Sequence, residues 1–246
     1  MSIESEEDLR ALREAGRVVR LTLRAMRTSL RAGMTTAEVD AIGRAVLDEH
    51  GARSAPAMVY GFPGTNCISV NDEAVHGIPG DRRIGAGDLV KLDVTAELGG
   101  FMADAAVTVA VPPAPAESRN LTRCAEAAMW AGIQAASAGR PISSIGRAVE
   151  QRVRGEGFFV LKELAGHGIG RTIHEDPVVP NYESTRAKAA LTEGLVITVE
   201  PIISVGCEWT SPAGDGWTLC TKDGSRAAHF EHTIVVTRQR ALVLTA

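Results

Sequence analysis

The sequence lacks several features that would settle its class at once. No run of apolar residues approaches the roughly 20 that a membrane-spanning helix needs, so no helical span is expected. The cysteines, Cys67, Cys124, Cys207 and Cys220, form no CxxC pair and keep no staple-like spacing. That argues against a disulfide scaffold and against a thiolate zinc site. The opening MSIESEEDLR is acidic and has no signal-peptide core. Neither sign of charge dominates, and a formal net charge of -4 gives no bulk electrostatic case for nucleic acid. With 45% hydrophobic and 23% charged residues in a chain of 246, global disorder is excluded and a substantial core can form. The expectation is a cytoplasmic protein from a reducing compartment. Without appended linkers, a monomer is the default.

What the sequence does have begins with Leu89–Val111, LVKLDVTAELGGFMADAAVTVAV. Two runs rich in Val, Leu and Thr flank Gly99-Gly100, which reads as a β-hairpin. A turn centred between Leu98 and Gly99 sets Asp93 directly opposite Asp104, with Cβ atoms about 4.5–5.5 Å apart on one face. Carboxylates so placed among apolar side chains repel. They can share a proton, or they can bind a cation that converts repulsion into chelation. A shifted register, or a turn role for one Asp, is the plainer alternative.

Along the chain, Ser5-Glu6-Glu7-Asp8 carries a capping-box pattern that opens a first helix, with Leu9, Leu12, Val19, Leu23, Met26 and Leu30 on one face. Arg13, Arg17, Arg20, Arg24, Arg27 and Arg31 form a second, basic stripe, either a solvated face or a contact for RNA or an acidic partner. Gly33 ends this helix, and Thr35-Thr36-Ala37-Glu38 caps another running to about His50. Ala52–Gly64 reads as irregular, Cys67–Val70 as a strand, and NDEAVHGIPG as a turn-rich loop holding His76. Pro112-Pro113-Ala114-Pro115 then marks a junction. After it the cycle repeats, with a helix over Glu117–Ala138 and another capped by Ser143 or Ser144 and ending near Gly155-Glu156-Gly157. The pentapeptide Ile42-Gly-Arg-Ala-Val46 recurs as Ile145-Gly-Arg-Ala-Val149 in the second helix of each cycle. Helix, helix, strands, twice over, implies an internal duplication, with halves of approximately 1–112 and 113–246 in one domain.

The second half continues into a strand at Phe158–Leu161. The glycine segment GHGIGRTIHE follows, holding His167 and His174, and its alternate glycines suggest a closely approached backbone. Leu195–Val199 is a buried-strand signal ending at Glu200-Pro201, and Ala227–Val236 reads as one strand with Glu231 in its interior. Asp93, Asp104, Glu200 and Glu231, with His167, make an oxygen-rich set with a single imidazole. Such a set suits Mn²⁺, Fe²⁺, Co²⁺ or Zn²⁺ in carboxylate-bridged pairs. Two adjacent metals can activate water and polarise a carbonyl, which is hydrolytic chemistry.

The ordered motifs NDEAVHGIPG, KLDVT with GFMAD, GHGIGRTIHEDP, TVEP and FEHTIVV resemble the type I methionine aminopeptidases over nearly the whole chain. The resemblance implies the α+β pita-bread fold, a pseudo-twofold repeat of helix, helix and strands around a curved antiparallel sheet. It implies removal of the initiator methionine from nascent polypeptides, with a small second residue preferred, by hydroxide attack at a dinuclear metal centre. Carried onto matching positions, Asp93, Asp104, His167, Glu200 and Glu231 would bind two divalent metals, with Asp104 and Glu231 bridging. His76 and His174 would contact substrate, and Glu200 would shuttle the proton. Phe62, Cys67, His76, Ile173 and Trp217 would line the methionine pocket, plain core packing being the alternative for Trp217. Pro56, Val59 and Ile173 stand where family members often carry a cysteine or aromatic rings, so a looser pocket is expected. Xaa-Pro peptidases share the metal set but usually carry a large domain ahead of it, for which the stretch before Asp93 is too short. A non-catalytic, ribosome-associated relative would usually have lost ligands, and here all five positions are filled.

Overall fold

The computed structural model describes residues Met1–Ala246. Two helix pairs and a curved sheet make up most of it. Helix α1 spans Glu6–Ser29; the Ser5 hydroxyl caps it by accepting from the Asp8 amide, and the acidic first turn matches the helix dipole. Helix α2 spans Thr36–Glu49 and begins in a complete capping box between Thr35 and Glu38. Arg53–Ser54 is a short strand, β1, and Ala55–Tyr60 a short helix, α3, so the segment expected to be irregular is partly ordered. Ser54 caps α3, Pro56 sits in its first turn, and Gly61 ends it with φ 72°. These are local start and stop signals that prolines obscure in the sequence.

Strands β2 (Cys67–Val70) and β3 (Glu73–Val75) lead to the hairpin of β4 (Leu89–Leu98) and β5 (Phe101–Ala110). Its turn is centred between Gly99 and Gly100, with φ 60° and 84°, the backbone of a two-residue primed turn. That centring corrects the expected register. Asp93 pairs with Ala106 and Thr95 with Asp104, so the two aspartates are diagonal neighbours on one face rather than directly opposed.

The second half opens with α4 (Ala116–Ala135) and α5 (Ser143–Gly155). α4 stops short of the expected Ala138. Neither serine caps α5: Ile142 occupies the cap position without a side-chain bond, and Ser144 Oγ turns back to the Pro141 carbonyl. The remaining strands are β6 (Phe159–Val160), β7 (Ala165–Gly168), β8 (Glu175–Pro180), β9 (Val196–Val199), β10 (Ile202–Ser204), β11 (Thr210–Pro212), β12 (Leu219–Thr221), β13 (Ala227–His229), β14 (Glu231–Val235) and β15 (Leu242–Val243). The run expected to be one strand is therefore broken at Phe230. β13 joins β10 in a separate sheet, and Glu231 opens β14 rather than sitting inside it.

The large sheet runs β1-β4-β5-β14-β9-β7-β8 and so takes strands from both halves. Strand alternation sorts its residues by face. Val90, Leu92, Val94, Ala96, Ala103 and Ala105 pack against α1 and α2, while Ile197, Val199 and Ile234 pack against α4 and α5. Each Val, Leu or Ile among these contributes about 1.5–3 kcal/mol by burial, and each Ala less. Asp93, Asp104, Thr198 and Glu231 have the opposite parity and are turned to the face without these helices. The repeated pentapeptide marks an equivalent point in each pair. Gly43 lets α2 approach Met26 and Asn66, and Gly146 lets α5 approach the carbonyls of Pro180 and Tyr182.

Candidate metal centre

Five neighbouring positions across the sheet each supply one of the donors expected from the sequence. β4 gives Asp93, β5 gives Asp104, β14 gives Glu231, the end of β9 gives Glu200 and β7 gives His167. Ala106 of β5 pairs with Asp93 on one side and Glu231 on the other. Continuing the β14–β9 register, in which His232 faces Val199, brings Glu200 opposite Glu231. A neighbouring row carries Thr95, Asp104, Thr233, Thr198 and His167. All five donors line one cavity of about 150 Å³, together with Phe62, Cys67, His76, Ile173, His174 and Trp217. The eleven donor, substrate-contact and pocket residues expected from the sequence are brought there, and Pro56 with them, whereas Val59, also expected at the pocket, is 42% exposed on α3 and does not line the cavity.

Hydroxyls from the second row fix the donors. Thr95 Oγ1 donates to Asp104 Oδ2 at 2.8 Å, and Thr198 Oγ1 to Glu200 Oε1 at 2.7 Å. The Asp104 amide donates to Thr233 Oγ1, which donates onward to the Asp104 carbonyl. The His167 amide is held by Thr198 Oγ1, and its Nδ1–H donates to the Gly168 carbonyl at 2.9 Å. That bond leaves Nε2 with a free lone pair, 3.3 Å from Glu200 Oε1. The glycines around His167 are needed for this approach, since a Cβ on Gly166 would lie 2.6 Å from the Thr198 carbonyl oxygen.

Burial raises the pKa of all four carboxylates, and their mutual repulsion adds to it for Asp93, Glu200 and Glu231. Burial lowers His167 to about 4 and His229 to about 3, so both rings are neutral. Beside the donors lies an apolar lobe, where Phe62 meets Trp217 edge-on at 5.2 Å and Ile173 and Cys67 are buried. His174 is exposed at the rim, its ring centroid 4.3 Å from that of His167. His76 is held by a backbone with φ 58° on the loop after β3.

Residues 10–238 match the family model described as metallopeptidase family M24. The chain belongs to this family. It is 45% identical to methionine aminopeptidase 2 of Bacillus subtilis, over 100% of this chain and 99% of that one. The crystal structure of methionine aminopeptidase from Thermotoga maritima superposes with a TM-score of 0.96 at 33% identity, covering 100% and 99% of the two chains. Prolidase from Pyrococcus furiosus shares the fold, with a TM-score of 0.79 at 23% identity, covering 99% of this chain and 65% of that one. The M24 chain thus has the pita-bread fold, and its chemistry is that of a hydrolase working with divalent metal ions.

The residues present fit such ions. Asp104 Oδ1 and Glu231 Oε1 are buried and find no hydrogen-bond donor in the protein. An orphaned carboxylate oxygen of this kind costs several kcal/mol unless it meets a cation or a proton. Asp104, His167 and Glu231 place one donor atom each within 4.8 Å of one another, and so do Glu200, His229 and Glu231. Hard oxygen donors with neutral imidazole suit first-row divalent metal ions.

Four cavity residues are not among those expected from the sequence: Val75 at the end of β3, Thr95, His229 and Tyr60. Thr95 is two residues from Asp93 on the same strand face, a signal that alternation could have supplied. His229 stands two residues before Glu231, but the sequence there has the pattern of one continuous strand and gives it no separate signal. Tyr60 had no signal at all: it comes from α3, and its hydroxyl lies 2.6 Å from His174 Nδ1.

Proposed function

We propose that this protein removes the N-terminal methionine from nascent polypeptides whose second residue is small, using two divalent metal ions held in one catalytic domain. The observation that carries the reading is the row of donors from five adjacent strands, opening directly onto an apolar lobe. Asp93, Asp104, His167, Glu200 and Glu231 would hold the ions. Bound there, divalent metals supply a water of lowered pKa and polarisation of the scissile carbonyl. The single-domain reading is supported by the shared sheet, because neither half alone completes the donor set.

The chain's own residues do the rest. Phe62, Cys67, Ile173 and Trp217 receive the methionine side chain, excluding water from the amide beside it. The Tyr60 hydroxyl donates to His174 Nδ1, which fixes the proton on Nε2. From there it donates to the carbonyl oxygen as negative charge develops on it. His76, across the rim, holds the substrate amide. Glu200 carries a proton from the attacking water to the departing amine. Pro56 and Ile173 stand in the lobe in place of larger side chains, so the pocket tolerates some variation around methionine.

Hydrolysis of Met-Ala-Ser against Ala-Pro-Ala, with Mn²⁺ or Co²⁺ and chromatographic separation of products, tests this. Release of free methionine is expected; prolyl cleavage without methionine release would replace the reading with an Xaa-Pro peptidase. The unpaired cysteines support a cytoplasmic setting, and no helix is long and apolar enough to cross a membrane. A monomer accords with a site built from one chain. A docking role on the ribosome is supported by α1. Arg17 pairs with Glu14 at 2.7 Å, whereas Arg13, Arg20, Arg24, Arg27 and Arg31 carry no carboxylate partner. Arg20, Arg24 and Arg27 line a groove with Leu23, Thr28 and His232. Ribosome pelleting that survives Glu231→Ala but not removal of these arginines is expected, and no pelleting of the wild type would end the docking reading.

A further inference from the structure

His229 lies at the floor of the cavity with no task in the chemistry above. It is 2% exposed, and neither ring nitrogen has a hydrogen-bond partner in the protein. A buried polar side chain left unpaired costs about 1–3 kcal/mol, so one set in place by a fixed backbone signals an occupant. The His229 amide donates to Thr108 Oγ1 at 2.8 Å, the same hydroxyl donates to the His229 carbonyl at 2.7 Å, and β13 pairs His229 with Ile202. The backbone is thus clamped from both neighbouring strands, and the side chain enters a fixed place.

That place is beside two of the carboxylates. His229 Nε2 is 3.6 Å from Glu231 Oε2, too long for a hydrogen bond. It is the right distance for two donors sharing one ion, since ligand atoms each about 2.1 Å from a metal and separated by a tetrahedral angle lie about 3.4 Å apart. The spacing between His167 Nε2 and Glu200 Oε1 is of the same kind, 3.3 Å. With Glu200 and Glu231, His229 forms a group whose donor atoms all lie within 4.8 Å of one another.

We propose that His229 is a sixth donor to the metal centre, so that the ions are held by two imidazoles and four carboxylates rather than by one imidazole and four. This deepens the aminopeptidase reading and rests on it for the presence of metal. A second nitrogen makes the site softer, shifting its preference from Mn²⁺ toward Co²⁺, Fe²⁺ or Zn²⁺.

The test is X-ray absorption on the full chain loaded with Co²⁺, which counts imidazoles bound to cobalt, combined with a cobalt titration. The wild type should give two imidazoles per chain. His229→Gln and His167→Gln should each give one, with cobalt affinity at the affected site reduced more than tenfold. A wild type with a single bound imidazole, or a His229→Gln protein with an unchanged count, would overturn the proposal. The wild-type count decides the matter even if the variant fails to fold. Cobalt uptake and Met-Ala-Ser hydrolysis with one imidazole would remove the sixth donor and leave the aminopeptidase reading standing; no cobalt uptake would remove both.

Discussion

Replacing Tyr60 with phenylalanine isolates one bond at the rim of the cavity. The ring that lines the pocket stays, and the hydroxyl 2.6 Å from His174 Nδ1 goes. Tyr60 is 47% exposed, so folding stability should change by less than about 0.5 kcal/mol. The effect on rate follows from what the hydroxyl does to the imidazole. Without it, neutral His174 divides between tautomers, and water at this open position restores part of the lost bond. A neutral hydrogen bond contributes about 0.5–1.5 kcal/mol, and 1.36 kcal/mol is tenfold in rate. The turnover number should therefore fall about two- to tenfold, with KM for Met-Ala-Ser and the metal content unchanged. Tyr60→Ala should add a rise in KM, because the ring over the pocket is lost. Steady-state kinetics on metal-loaded enzyme provide the check. An unchanged kcat in Tyr60→Phe, or a change confined to KM, would mean that the hydroxyl does not orient His174.

Asp104→Ala should lower metal content and cut turnover more than about a hundredfold, the upper figure for losing a mere outer partner; a fully metallated, active variant would contradict the ligand assignment. His174→Ala should keep its metals by elemental analysis yet lose most of its rate, and loss of metal from a folded variant would redraw the line between ligand and substrate contact. Glu97, 6% exposed, bonds the Gly100 amide at the hairpin turn and the Arg53 guanidinium, and these bonds hold its pKa below the ordinary 4.5 despite burial. A depressed carboxyl pKa stabilises the fold above the unfolded value and is lost as pH falls through the folded one. Glu97→Gln should therefore be destabilised by about 1–2 kcal/mol at pH 7, and the gap in urea midpoints should close as pH falls below 4.5. Gly146→Ala would gain about 1 kcal/mol in an open helix, but its Cβ would press on the backbone oxygens of Tyr182 and Pro180. A net loss of about 1–3 kcal/mol is expected, larger than for Gly43→Ala, whose neighbours are the movable side chains of Asn66 and Met26.

The legible parts of this protein were those whose physics is local. Capping residues announced α1 and α2 because Ser5 and Thr35 satisfy amides only three residues away. The acidic residues on β-rich runs, with one histidine among glycines, announced a hard donor set because few other environments tolerate carboxylates there. Sequence pattern and structure part where one residue's placement decides many others. A turn centred one residue later moved Asp104 from facing Asp93 to facing Thr95. A break at Phe230 sent His229 and Glu231 into different sheets while keeping both on the cavity.

The sequence by itself determined which donors the chain carries, in what order, and that alternation would turn Asp93 and Asp104 to one side of a sheet. Side-chain periodicity is a property of a single strand, and it survives without knowledge of the neighbours. Only the tertiary structure decided that β14 enters between β5 and β9, bringing Glu231 beside residues far away in sequence. Only it seated Tyr60 against His174 and clamped His229 beside Glu231, because strand order and loop placement come from burying two helix pairs against one shared sheet. No local pattern encodes that packing.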